Sequence, residues 1–137
     1  GVLVGLTRFS NKSHIARAVL ESVAYQSFEL LESMEKDTGT VFDSVKVDGG
    51  MVKNNWLTQF LSDVLNVSVY RSIEEDTTAL GAAYMAGLKI GIYKSLNDIS
   101  KHWKFNKKFT PKINAKLRKE LINGWLKTVN KTINQIR

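Results

Sequence analysis

The residues best placed to do chemistry lie in VKVDGGMVKNNWLTQFLSD, residues 45–63. Val45 to Val47 reads as a strand that runs into a turn at Gly49 and Gly50, and a helix opens near Asn54 and Asn55. Two glycines at such a junction let the backbone approach a flat or charged ligand with no Cβ in the way. The helix N-terminus that follows offers unpaired N–H groups and a positive dipole to phosphate or ribose oxygens. Gly49, Gly50 and Asn54 are therefore the candidate ligand-binding residues, with Asp48 and Met51 flanking them. Asp48, at the carboxyl end of the strand, could polarise a water or a Mg²⁺ shell, or it could brace the turn. A strand–Gly-Gly–helix junction also occurs where elements simply pack tightly, so the turn alone does not decide the function.

The rest of the chain supplies no catalytic residue and no metal site. It has no cysteine, which removes thiolate ligands and disulfides, and its two histidines, His14 and His102, have no ligand-like spacing. Its 137 residues make about one domain, with apolar and charged fractions of 43% and 24% that fit an ordinary globular protein. There is no run of about 18 apolar residues that could cross a membrane, and no signal-like opening, so a cytoplasmic protein is expected. The opening reads like the middle of a strand, which suggests that the natural domain starts before Gly1. The charge is lopsided. Residues 1–100 carry 9 Lys/Arg against 12 Asp/Glu, whereas residues 101–137 carry 11 against Glu120 alone, a net −3 followed by a net +10.

The elements that must hold the Gly-Gly turn follow from periodicity. Ser10 or Ser13 is expected to cap a helix running to about Met34, with Ile15, Val19, Val23, Leu30, Leu31 and Met34 at helical spacing. Leu20, Ala24 and Phe28 widen its apolar surface, so cover on more than one side is expected. Gly39 is the expected left-handed cap. After the strand at 44–47 and the turn, Trp56, Leu57, Phe60, Leu61, Val64 and Leu65 form a clear helical stripe, and Val67 to Tyr70 reads as a second strand. Alternation of strand and helix predicts a parallel α/β layer. Thr77 or Thr78 should cap a third helix, Ala79 to Lys89, where Gly81 implies a neighbouring helix backbone or a ligand. Residues 94–103 read as a helix and loop, and Phe105 to Pro111 as an irregular basic connector. The last helix, from about Asn114 to Ile136, carries Leu117, Leu121, Trp125, Val129, Ile133 and Ile136 on one stripe. It should dock with Lys116, Lys119, Lys127 and Lys131 in water. The organisation expected is one domain over 1–137, with a core at 1–93 and a basic connector and C-terminal helix at 94–137.

Three segments resemble the carbohydrate-kinase family that includes glycerol, gluconate and xylulose kinases. Residues 1–21 resemble the signature of that family's second domain: Gly1, Leu3, Gly5 and Leu6, a seven-residue gap, then His14-Ile15, Ala18 and Glu21. VDGGMVKNNWLTQFLSDVLNVSV, residues 47–69, resembles its adenosine motif, and TTALGAAYMAGLKIGIY, residues 77–93, resembles its third helix. Within the family the likeness is greatest to the glycerol-phosphorylating members, through VGLTR, DGGMVKNN and the approach to Gly124-Trp125.

The resemblance implies an α/β, ribonuclease H-like (actin-like ATPase) fold, of which this chain is the C-terminal half of a two-domain sugar or polyol kinase. It implies ATP, with Mg²⁺ arriving on the nucleotide rather than being held by this chain. Gly49 and Gly50 would approach the ribose and phosphates, and Asn54 would face the adenine. The family's carboxylate base and its phosphate-holding Gly/Thr loops lie upstream of this sequence, so the chain alone is expected not to phosphorylate anything. Its partners would be an adenine nucleotide and a separate N-terminal kinase domain, with a homo-oligomer as a further option. The competing readings are a non-catalytic remnant or interaction module, and a nucleic-acid or acidic-partner binder using residues 101–137. The second is disfavoured because the aromatic Trp125 lies on the apolar stripe rather than among the lysines.

Overall fold

The computed structural model describes residues 1–74 and 76–136. In chain order it contains α1 (Lys12–Thr38), β1 (Ser44–Val47), a 3-10 turn (Gly50–Lys53), α2 (Asn55–Leu65) and β2 (Ser68–Ser72). These are followed by α3 (Thr77–Lys89), α4 (Leu96–Ser100), β3 (Phe105–Phe109) and α5 (Ala115–Ile136).

Among the described residues the strands form one sheet in the order β1-β2-β3. The β1 and β2 strands are parallel, with Val45 opposite Val69 and Val47 opposite Arg71. They are linked through α2, the crossover that parallel neighbours require. The expected parallel layer is thus correct for this pair but incomplete. Residues 105–109 are not an irregular connector. They form β3, antiparallel to β2, with Phe109 opposite Val69 and a register shift at Arg71/Ser72.

The α2 helix is the centre of the molecule. Leu57, Phe60, Leu61, Val64 and Leu65 are buried, as their spacing predicts, and they meet Val67 and Val69 below and Ala24 and Tyr25 of α1 above. Two buried hydroxyls on the same helix satisfy backbone groups that would otherwise cost energy inside the fold. Ser62 Oγ donates to the carbonyls of Val67 (2.8 Å) and Phe109 (3.3 Å). Thr58 Oγ1 donates to those of Val52 (3.0 Å) and Asn54 (3.1 Å). The last third of the chain completes the core with Phe109 and Ile122. Asp63 pins the segment between β3 and α5, accepting from the Lys112 backbone N–H at 2.6 Å.

Several boundaries differ from the sequence reading, and the hydrogen bonds show why. The cap of α1 is Asn11, not Ser10 or Ser13. Its side-chain oxygen accepts from the Ser13 and His14 N–H groups, while His14 Nδ1 accepts from the Asn11 N–H at 3.2 Å. This is a reciprocal capping box with His in the place usually taken by Glu or Gln. The cap of α3 is Asp76 rather than Thr77 or Thr78, accepting from the Ala79 N–H. Gly39 is left-handed at φ 66°, as expected.

On α1 only Ala24 and Tyr25 are buried, and Ile15, Val19, Leu30 and Met34 remain exposed. Cover on more than one side is therefore not provided by the described residues. On α5 the expected stripe packs in part: Leu121 and Trp125 lie against the core with Leu126, beside the buried Ile122, while Leu117 and Ile133 are exposed. The four lysines expected in water are exposed, and the side chain of Ile136 lies outside the described residues. Gly81 has open space where a Cβ would be. The close approach is instead at Gly87, whose Cβ would come within 2.8 Å of the Tyr93 ring.

Candidate functional site

The strand β1 delivers Asp48 and Gly49 to the carboxyl end of the sheet, and the turn to α2 is tighter than a simple loop. Gly49 has φ 87° and ψ 178°, a conformation that side chains with a Cβ rarely adopt. Gly50 then opens a 3-10 turn through Lys53, an element without a distinct sequence signal. A Cβ built on either glycine would meet nothing within 4 Å, so the space over the turn faces outward and is unfilled by the chain itself. That is the shape needed for close approach by a flat or charged group.

Asn54 caps α2. Its side-chain oxygen accepts from the N–H groups of Trp56 (3.0 Å) and Leu57 (3.2 Å). These are two of the donors a bare helix N-terminus would offer an anion. The helix end is therefore already partly satisfied by its own side chain, and the amide nitrogen of Asn54, not its oxygen, remains for a ligand. Met51 is 54% exposed on the outside of the turn.

Asp48 accepts a hydrogen bond from Thr77 Oγ1 at the start of α3. The contact ties the end of β1 to the start of α3.

Beside the turn lies a cleft of about 160 Å³ walled by Asp48, Gly49, Lys53, Arg71, Glu74 and Asn106. The structure thus brings Asp48 and Gly49 into the cleft wall. Gly50, Met51 and Asn54 lie along the exposed turn next to it. Arg71 has no motif to reveal it in the sequence. Its Nη1 donates to the carbonyl of Val52 at 2.9 Å and to Asn55 Oδ1 at 3.1 Å, with the Lys53 carbonyl at 3.4 Å, and its Nε donates to Asn106 Oδ1 at 3.0 Å. The Val52 carbonyl also receives Thr58 Oγ1. The turn is thus gripped from β2 by a guanidinium and from α2 by a buried hydroxyl. Only the parallel register, which sets Arg71 opposite Val47, could have suggested it.

The uncovered face of the sheet carries Tyr70, Trp103 and Phe105, packed on one another with ring centroids 5.0–6.5 Å apart. Lys46 Nζ sits 4.1 Å from the Trp103 ring centre and Lys108 Nζ 5.1 Å from that of Tyr70. These cation–π contacts occupy ring faces that base stacking would need. Among the described residues no group of three or more His, Cys, Asp or Glu is placed to hold a metal ion, and no helix is long and apolar enough to cross a membrane.

The fold is a mixed α/β layer with a glycine turn at the carboxyl end of a parallel strand, and the relatives say which class of protein carries it. The chain belongs to the FGGY family of carbohydrate kinases, whose C-terminal domain profile matches residues 1–90. It is 48% identical over 133 residues to a glycerol kinase of Clostridium botulinum, a match covering 97% of this chain and 27% of that protein. The crystal structure of Plasmodium falciparum glycerol kinase with ADP superposes with a TM-score of 0.79 at 37% identity, over 93% of this chain and 26% of that one. Gluconate kinase from Lactobacillus acidophilus, at 24% identity and a TM-score of 0.77 over the same shares, has the same fold. The expected partial actin-like domain is therefore correct, and the chain spans about a quarter of the length of the relatives it matches.

Proposed function

We propose that this chain is the nucleotide-binding C-terminal part of an ATP-dependent polyol kinase, acting on glycerol in the cytoplasm and inactive without an N-terminal part. The observation that carries the reading is the Asp48–Asn54 turn. It presents two consecutive glycines with no Cβ over an open surface, and it is fixed from behind by Arg71 and Thr58. The match to a glycerol kinase solved with ADP supports the ligand class. The choice of glycerol over another polyol rests on the 48% identity to a glycerol kinase.

In this reading Gly49 and Gly50 lie against the ribose and phosphates, and the Asn54 amide nitrogen faces the adenine. Asp48 keeps the strand end in place through Thr77, and Met51 borders the base. Bound ATP supplies the phosphoryl group and brings its Mg²⁺ with it. Proton removal from the acceptor hydroxyl and the grip on the β- and γ-phosphates belong to residues upstream. The whole of 1–137 acts as one unit, with residues 94–137 closing the core rather than serving as a separate binding arm.

Calorimetric titration of the chain with Mg-ATP tests this. Binding in the micromolar-to-millimolar range is expected, weakened at least tenfold by Gly50→Val. Because a Cβ at Gly50 meets nothing in the protein, unchanged circular dichroism should accompany the loss. Equal affinity of the two proteins would remove the turn as the site.

A further inference from the structure

The structure assigns to Arg71 the role of positioning residue for the nucleotide turn, an inference that rests on the reading of that turn given above. Beyond the bonds internal to the 3-10 segment, the Asn54 N–H reaches the Met51 carbonyl at 3.2 Å. A four-residue 3-10 segment of this kind is a weak element on its own. Arg71 supplies what it lacks. Its Nη1 reaches acceptors on Val52 and Asn55, with the Lys53 carbonyl at the edge of its range, while its Nε is held by Asn106 of β3. The guanidinium carbon sits over the Phe109 ring, 5.6 Å from its centre.

One planar fork thus clamps the carboxyl end of the turn to the middle of the sheet, and β3 aims the fork. Lysine, with a single point of charge, cannot hold both ends at once. Through the turn, Arg71 fixes the height of Gly49 and Gly50 above the surface on which the nucleotide is read. Its Nε and Nη1 are thus committed to holding the turn and the Asn106 amide.

The test uses Arg71→Lys, Arg71→Ala and, as a control, Asn106→Ala, which frees the aiming contact but leaves the turn's acceptors alone. Hydrogen exchange read by mass spectrometry over residues 49–57 should quicken about tenfold in both Arg71 variants and less in the control, while the α2 core stays protected. Mg-ATP affinity should fall about tenfold in Arg71→Lys, and added ethylguanidinium should restore part of it in Arg71→Ala. Unchanged exchange in the turn overturns the inference, as does loosened exchange with unchanged affinity. If the natural chain binds no nucleotide at all, the nucleotide reading falls, and faster exchange in the Arg71 variants still upholds Arg71 as the organiser of the turn.

Discussion

Tyr25 shows how far a single side chain can be committed to the interior. It is 7% exposed, stacked on Trp125 at 5.2 Å and edge-on to Phe60 at 5.7 Å. Burial, with the nearby Glu21 carboxylate adding to it and Arg17 opposing, pushes its phenol from 10.0 up to about 12. The folded protein therefore keeps a proton that the unfolded chain gives up first. The stabilisation is complete below pH 10 and is lost as pH climbs from 10 toward about 12. Denaturant melts across that window should show a falling midpoint, and Tyr25→Phe should flatten the fall. A midpoint indifferent to Tyr25→Phe would mean that another group governs alkaline unfolding. His14 and Arg71 make a different point at this scale. His14 belongs to the signature that resembles the family, yet its Nδ1 is spent on the cap of α1. Arg71 belongs to no motif, yet it reaches the turn across the sheet. Motif membership and mechanical importance are separable properties.

At the scale of elements, α2 is held in place by its N-cap residue, Asn54. Asn54→Ala removes both cap bonds and should cost about 1 kcal/mol of unfolding free energy. Asn54→Asp, which keeps the acceptor, should cost much less. Urea denaturation of the three proteins decides it, and equal midpoints for natural chain and Asn54→Ala would show that the cap is redundant. The helix itself was readable because its stripe of six apolar residues is carried locally. The β1 strand, the left-handed Gly39 and the approximate span of α3 were legible for the same reason. The β3 strand was not. FNKKF has apolar residues only at its two ends, so it lacks the alternation of a half-buried strand, and its pairing with β2 depends on residues more than thirty positions away. The capping residues were misread by a few positions because Asn, Ser, Thr and Asp compete on nearly equal terms. In the candidate site, the glycines and Asn54 could be named from sequence; the 3-10 turn and the guanidinium that grips it depend on sheet register, which the sequence does not display.

As a whole molecule the chain leaves much of its apolar surface uncovered. Val2, Leu3, Val4 and Leu6 are each more than half exposed, α1 shows Val19 and Leu30, and α3 buries little beyond Gly87. The outer edge of β1 has no neighbour among the described residues. An open strand edge beside exposed apolar groups favours association. Light scattering should therefore show a mass above 15.4 kDa that rises with concentration, and a clean monomer at high concentration would contradict this. The core has its own consequence in time. Val69 lies opposite Phe109, and Ile122 belongs to the same buried cluster as Tyr25 and Phe60. A ribosome that has released residues 1–93 has thus delivered α1, β1, α2, β2 and α3 but not the two side chains that seal them. During synthesis this domain stays unsealed until residues 105–122 have emerged, so a chain cut short before Phe109 would be sticky and protease-prone rather than a slightly shorter domain.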